Sequence, residues 1–261
     1  MNFLKPNPLF LNKADISSSE LLTNIISYPQ QIDKREYDKR INEMYSLGVN
    51  SILLDGHTKI GRMSIVGKGS VSLVIKVKAR NSICALKIRR TDANRKTMKR
   101  EASLHKIANS AGIGPYLLAF SKNFILMQFI DGLSIIDWFR QKKITHDQVR
   151  NVIVNILEHC YELDRACLDH GELSNINHHV IVSRENTSTI IDFESSSTQR
   201  KTSNVTAAAQ SLFLSGQISK RVNELLSIPQ REKVIQTLRR YKWDQTRNNF
   251  NNIVDILLNN L

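Results

Sequence analysis

The chain has 261 residues, 41% hydrophobic and 23% charged, a globular balance long enough to bury one large core or two lobes. Lys and Arg number 37 against 24 Asp and Glu, a net charge of +13, which favours polyanionic partners (nucleotides, RNA, ribonucleoprotein particles, acidic protein faces) unless it is only a solubility habit. Cys84, Cys160 and Cys167 offer no C-x-x-C pair and read as buried thiols in a reducing compartment. No run approaches the ~18 apolar residues of a membrane span, and the N-terminus lacks a signal-peptide core, so no membrane is expected and the location is read as cytoplasmic.

Residues 1–60 read as a helical N-terminal extension. Ser19 can cap a short helix through Leu21, Leu22 and Ile25. A second helix from about Lys34 puts Tyr37, Ile41, Met44 and Tyr45 on one face, with Gly48 at its C-terminal cap. Ser51–Leu54 suggests a short strand before an Asp55-Gly56 turn.

From Met63 the period changes to two. Met63–Val66, Val71–Lys78 and Ile83–Ile88 read as strands joined at Gly67-Lys68-Gly69 and Ala79–Ser82. A basic helix is expected from about Ala93 to Asn109, with Asp92 as its N-cap, and then a strand pair, Tyr116–Phe120 and Phe124–Phe129. Residues 61–130 thus form a small antiparallel lobe carrying one helix.

Residues 131–261 read as mainly helical. Thr145 with Gln148 is a capping box, and the helix behind it keeps Val149, Val152, Ile153, Ile156, Leu157, Cys160, Leu163 and Cys167 on one stripe. It leads into His170-Gly171-Glu172-Leu173. A hairpin of Val180–Val182 and Thr189–Phe193 follows, and then helices from about Val205, Pro229 and Gln245. The fold class is α+β, a sheet lobe plus a helical lobe.

Several residues in this frame carry chemistry. Gly67 and Gly69 would let backbone N–H groups approach phosphates, with Val74 on the outgoing strand over a base; an ordinary hairpin turn is the plainer alternative. Lys87 ends an apolar strand, where an unpaired ammonium is costly. Glu101, read as mid-helix, is its candidate partner, unless it is simply solvated. Met127–Gly132, including Gln128 and Phe129, ends the last strand of the first lobe, and by its residues alone it can be simply a strand running into a turn. Asp192-Phe193-Glu194 ends the apolar Thr189–Ile191 strand, 20 residues after His170–Leu173, and a strand-end aspartate is a way to hold Mg²⁺ against phosphates. His178-His179 has no second ligand pair at helical spacing, so no zinc site is supported. Lys87, Arg89, Arg90, Arg95, Lys96, Lys99 and Arg100 put seven cations in 14 residues, either a solvated face or a patch for RNA or phosphate.

Taken in order, G-K-G, A-L-K, a helix Glu, a hinge, H-G-E-L and I-D-F-E resemble the protein-kinase-like superfamily. The resemblance is closest to the small atypical kinases, RIO-type and the kinase of the tRNA-modifying KEOPS complex. Leu86–Arg95 with Gly112–Pro115 also looks like a group of uncharacterised archaeal proteins called predicted serine/threonine kinases. Over about residues 60–200 the resemblance implies a two-lobed kinase-like fold. It implies Gly67, Gly69 and Val74 around the nucleotide, Lys87 on the α- and β-phosphates with Glu101 behind it, Gln128 and Phe129 in the hinge, and Asp192 and Asn177 on Mg²⁺. Glu172 takes the position of the usual catalytic Asp. Two departures stand out. The extra methylene of Glu172 moves its carboxylate by about an ångström, a displacement that can cost ~10²-fold, and His178-His179 intervene between Asn177 and the next strand. The expected function is ATP-Mg²⁺-dependent phosphoryl transfer to serine or threonine of a protein. The alternatives are a nucleotide-binding pseudokinase or ATPase scaffold on an RNA-containing particle, and a small-molecule hydroxyl kinase.

Overall fold

A computed structural model describes residues 8–10, 20–226 and 230–259, and these fall into two units, one of residues up to Ser103 with Tyr116–Phe129, the other of Leu104–Pro115 with the chain from Ile130 onward. The fold class is α+β, with antiparallel sheet and helix as expected.

The first unit holds β1 (Pro8–Phe10), α1 (Glu20–Ile26), α2 (Lys34–Ser46), β2 (Val49–Leu53), β3 (Thr58–Ile60), β4 (Met63–Ile65), β5 (Gly67–Lys68), β6 (Ser72–Ala79), β7 (Ser82–Arg89), the first turn of α3 (Lys99–Ser110), β8 (Leu117–Phe120) and β9 (Phe124–Gln128). Its main sheet is antiparallel, in the order β1-β2-β6-β7-β9-β8, with β5 against β6; β3 and β4 form a separate hairpin. The alternation along β6 sends Leu73, Ile75 and Val77 to one face and Val74 and Lys76 to the other. The first set packs with Leu86, Phe124 and Leu126 against Leu22, Ile25 and Ile26 of α1 and Ile41 and Met44 of α2. The N-terminal helices therefore cover one face of the sheet, and β2 adds a strand to it. Asp33 caps α2 by accepting the Glu36 N–H at 2.8 Å; Ser19 lies outside the described residues.

The helix expected from Ala93 starts later, at Lys99, and Asp92 is not its cap. Asp92 instead takes a two-point ion pair from Arg90, at 2.9 and 2.7 Å. The Met98 N–H is spent on the Lys122 carbonyl at 2.9 Å, which holds the connection out of helical geometry. Glu101 is consequently in the first turn of α3, not mid-helix. Gly67-Lys68 is also more than a turn, since it pairs with Val74 and Leu73 as β5.

The second unit continues α3 and adds β10 (Leu133–Ser134), α4 (Ile135–Phe139), α5 (His146–Arg165), β11 (Val180–Val182), β12 (Ser188–Ile190), α6 (Asn204–Ala209), α7 (Gly216–Leu225), α8 (Arg231–Trp243) and α9 (Arg247–Val254). The Thr145–Gln148 capping box forms, with bonds of 3.2 and 2.9 Å, and α5 buries its apolar stripe in the helical core. The stripe stops short of Cys167, which lies past the helix end at φ +53 with an exposed thiol; Cys84 and Cys160 are buried. The helix expected from Val205 is split: α6 widens into a π-turn over Gln210–Leu214, Ser215 is extended, and α7 begins at Gly216. The start expected at Pro229 lies outside the described residues. Among the described residues no helix is long and apolar enough to cross a membrane.

Candidate active site

In the first unit, Val74 lies opposite Lys87, which lies opposite Ile125, while Ala85 lies opposite both Lys76 and Met127. Cross-strand partners share a face, so Val74, Ala85, Lys87 and Met127 line the side of the sheet away from the N-terminal helices. Lys87 is 3% exposed, and its Nζ donates to Glu101 Oε1 at 2.6 Å. The other Glu101 oxygen accepts from Arg95 Nη1 at 3.1 Å. One buried carboxylate thus serves two cations, and the trio carries a net positive charge. This pairing is how a lysine ammonium is accommodated inside a sheet.

Gly67 pairs with Val74 along the edge of this face. A Cβ at Gly67 would meet nothing within 4 Å, so the glycine leaves open space beside the backbone. Gly69 donates its N–H to the Ser72 carbonyl at 2.8 Å and accepts from Arg90 Nη1 at 2.9 Å. The Gln128 N–H is taken by the Tyr116 carbonyl at 2.8 Å, and Lys76 Nζ stands 4.4 Å from the Phe129 ring centre.

The seven-cation run does not form one solvated face. Lys87 and Arg95 hold Glu101, Arg89 donates to Asn123 Oδ1 at 2.9 Å, and Arg90 holds Asp92 and Gly69. Lys96, Lys99 and Arg100 are exposed around the start of α3.

In the second unit His170 is buried, and its Nε2–H donates to the Ile191 carbonyl at 3.0 Å. The carbonyl fixes the tautomer. Desolvation, with His179 adding to it, lowers the imidazole pKa to about 4, so the ring is neutral at physiological pH. The Ile191 N–H donates to the His179 carbonyl at 2.9 Å. The residue before Asp192 is therefore gripped from both ends of the Glu172–Asn177 loop. Asp192 itself is left-handed, at φ +70, and its Oδ1 accepts the Glu194 N–H at 3.3 Å. Such backbone strain in a non-glycine residue concentrates at functional sites. Phe193 anchors the turn: it is 1% exposed, with ring centres of His105 and His170 at 5.1 and 5.5 Å. Gly114 permits this packing, because a Cβ there would stand 2.6 Å from the Phe193 ring.

Glu172 is half-exposed, with Oε2 3.9 Å from His179 Nε2. Asn177 sits in the 3-10 turn Leu173–His178, and His179 separates that turn from β11. Glu172, Asn177 and Asp192 thus belong to the second unit, and Gly67, Gly69, Val74, Lys87, Glu101, Gln128 and Phe129 to the first.

Sequence reasoning missed the supports of the loop. Asp169 accepts from Arg200 Nε at 2.9 Å and from the Ser203 N–H at 3.2 Å, and its backbone bridges Ser197 at 2.9 and 2.8 Å. Asn204 Oδ1 accepts the His170 N–H at 2.8 Å, while its Nδ2 donates to Asp164 Oδ1 and the Leu168 carbonyl, each at 2.8 Å. Asp164 also accepts from Tyr241 at 3.0 Å, and burial raises its pKa against these bonds. In the sequence an Asn at a helix start and an Asp in the last turn of another helix carry no sign that they meet.

Taken separately, each unit carries donors of a kind that a phosphate or its ion accepts. The excess positive charge at Lys87 matches polyphosphate, and the space beside Gly67 admits a close-lying ligand. Among the described residues no three His, Cys, Asp or Glu side chains gather as a metal cage. Mg²⁺ in phosphotransfer sites takes one or two carboxylates and fills its shell with phosphate and water, and the Asp192 carboxylate and Asn177 amide oxygen are donors of that kind.

In comparison with known families, the RIO domain matches residues 60–207, more than half of the chain. No curated protein matches the chain.

Proposed function

The chain belongs to the RIO-domain family of atypical protein kinases, and we propose that it catalyses ATP-Mg²⁺-dependent phosphoryl transfer to a serine or threonine hydroxyl of a protein. The observation that carries the nucleotide reading is the buried Lys87–Glu101 pair at 2.6 Å, with Arg95 on the second carboxylate oxygen. In this reading the Lys87 ammonium is the cation that meets the α- and β-phosphates, with Glu101 behind it. Gly67 and Gly69 cover the phosphates with backbone, Val74 covers the base, and Gln128 and Phe129 flank it. Mg²⁺, when bound at Asp192 and Asn177, neutralises developing charge on the transferred group. Glu172 orients the acceptor hydroxyl and takes its proton. Asp169 is unsuited to that task, since Arg200 and Ser203 occupy both of its oxygens.

Glutamate at 172 favours a second reading, a nucleotide-binding scaffold without transfer. Purified protein incubated with γ-labelled ATP and Mg²⁺, alone and with candidate protein or RNA, separates the two. Label on a serine or threonine, lost in Lys87→Ala, supports the kinase. Nucleotide binding with no label on any acceptor supports the scaffold, and no ATP response at all removes both.

A further inference from the structure

A chain of polar contacts inside the first unit runs from α2 to the Lys87 pair. The Glu43 carboxylate accepts from Ser121 Oγ at 2.6 Å, from the Asn123 N–H at 2.9 Å and from Asn123 Nδ2 at 2.7 Å. Asn123 is 0% exposed, and its Oδ1 accepts from Arg89 Nε at 2.9 Å. Arg89 Nη1 donates to the Arg95 carbonyl at 3.2 Å, and Arg95 closes on Glu101 at 3.1 Å. Arg40, 1% exposed, braces the same strand end by donating to the Arg89 carbonyl at 2.9 Å. Glu43 and Arg40 lie outside the stretch that aligns with the RIO domain.

We propose that Glu43 is a positioning residue for nucleotide binding, acting through Asn123, Arg89 and Arg95 to hold Glu101, and with it Lys87, in place. This rests on the nucleotide reading of Lys87. The physical argument is local. The connection from Arg90 to Met98 is not helical, so the direction of the Arg95 side chain depends on what fixes its backbone. Arg89 supplies such a support at the Arg95 carbonyl, and its own direction is set by a fully buried amide held by Glu43. Without Glu43 the Asn123 amide loses the acceptor for its Nδ2, and a buried polar group left so is driven to rearrange.

Two measurements test this on the full chain. In nucleotide-free protein, amide hydrogen exchange of Glu43→Ala should quicken about tenfold over residues 95–103, with α5 unchanged, because a local opening is confined to its own cooperative unit. Equal exchange in the variant overturns the proposal regardless of ATP. With ATP-Mg²⁺, Glu43→Ala should raise the KM for ATP about three- to tenfold with little change in kcat, as lost ground-state positioning does. Glu43→Gln, which keeps an acceptor oxygen in place, should recover part of this and serves if the alanine variant folds poorly. Glu43→Ala added to Arg95→Gln should cost nothing further, since both break one path. Additive losses, or an ATP response equal in both proteins, overturn this inference alone. Absence of any ATP response in the unsubstituted protein overturns the nucleotide reading and this inference with it.

Discussion

The side-chain oxygen of Asn204 accepts the backbone N–H of His170 at 2.8 Å, so a residue at the start of α6 fixes the backbone of the loop that presents Glu172. The same side chain returns its amide hydrogens to Asp164 and the Leu168 carbonyl. Asn204→Ala would leave a buried N–H, a buried carbonyl and a buried carboxylate short of partners. The expected loss of stability is roughly 3 kcal/mol, since each unsatisfied buried group costs about 1–3 kcal/mol. Thermal unfolding measures it, and a change within the error of the melting temperature would refute the account of this hub.

His170 gives the second unit a pH dependence with a definite sign. Its pKa falls from 6.5 in the unfolded chain to about 4 in the fold, chiefly by burial. Between those values the unfolded chain binds the extra proton and the folded one does not. Stability is therefore full above pH 6.5 and is lost as pH drops towards 4, by about 3 kcal/mol for this group. His170→Gln should flatten that part of the profile in urea titrations from pH 4.5 to 7.5. Parallel profiles would refute the assignment.

Much of the fold was legible because periodicity is a local signal. The alternation along Leu73–Ala79 placed β6, and the Thr145–Gln148 box placed the start of α5. Asp92 misled because a residue suited to capping a helix was claimed by Arg90 two positions away, a competition that composition does not reveal. Cys167 misled because the apolar spacing continued after the chain had turned left-handed. Lys87 and Glu101 could be paired from the sequence by charge scarcity, since few acids lie near that lysine. Arg95 could not be separated from its basic neighbours, and Asn204 and Arg200 act through contacts between segments some 30 residues apart. Such contacts leave no trace in local spacing.

Lys87→Ala and Asp192→Asn should each abolish the thermal stabilisation given by ATP with Mg²⁺. On the proposed reading the first removes the cation that meets the phosphates and the Nζ that Glu101 accepts from, and the second removes a carboxylate from the ion. Circular dichroism should show both variants folded. Retained stabilisation in both would exclude the nucleotide reading of these residues.

Glu172→Gln should lower phosphoryl transfer by ~10² or more at unchanged ATP affinity, the usual contribution of a general base. Glu172→Asp should preserve or raise the rate, because it restores the shorter arm. Because Asp169 is held by Arg200 and Ser203, it does not substitute. Undiminished transfer by Glu172→Gln would mean that positioning alone carries the reaction.

The boundary of kinship is not the boundary of a folding unit. Alignment with the RIO domain begins at Ile60, yet Leu73, Ile75, Val77, Leu86 and Leu126 are shielded from water by α1 and α2, which precede it. A fragment cut at the alignment limit would carry a bare oily sheet face and, having lost β2, a β6 edge unpaired over Lys76–Ala79, the combination that invites strand-to-strand aggregation. The N-terminal helices act in effect as a built-in chaperone for the sheet, and any shortened version meant for crystallisation or fusion has to keep them.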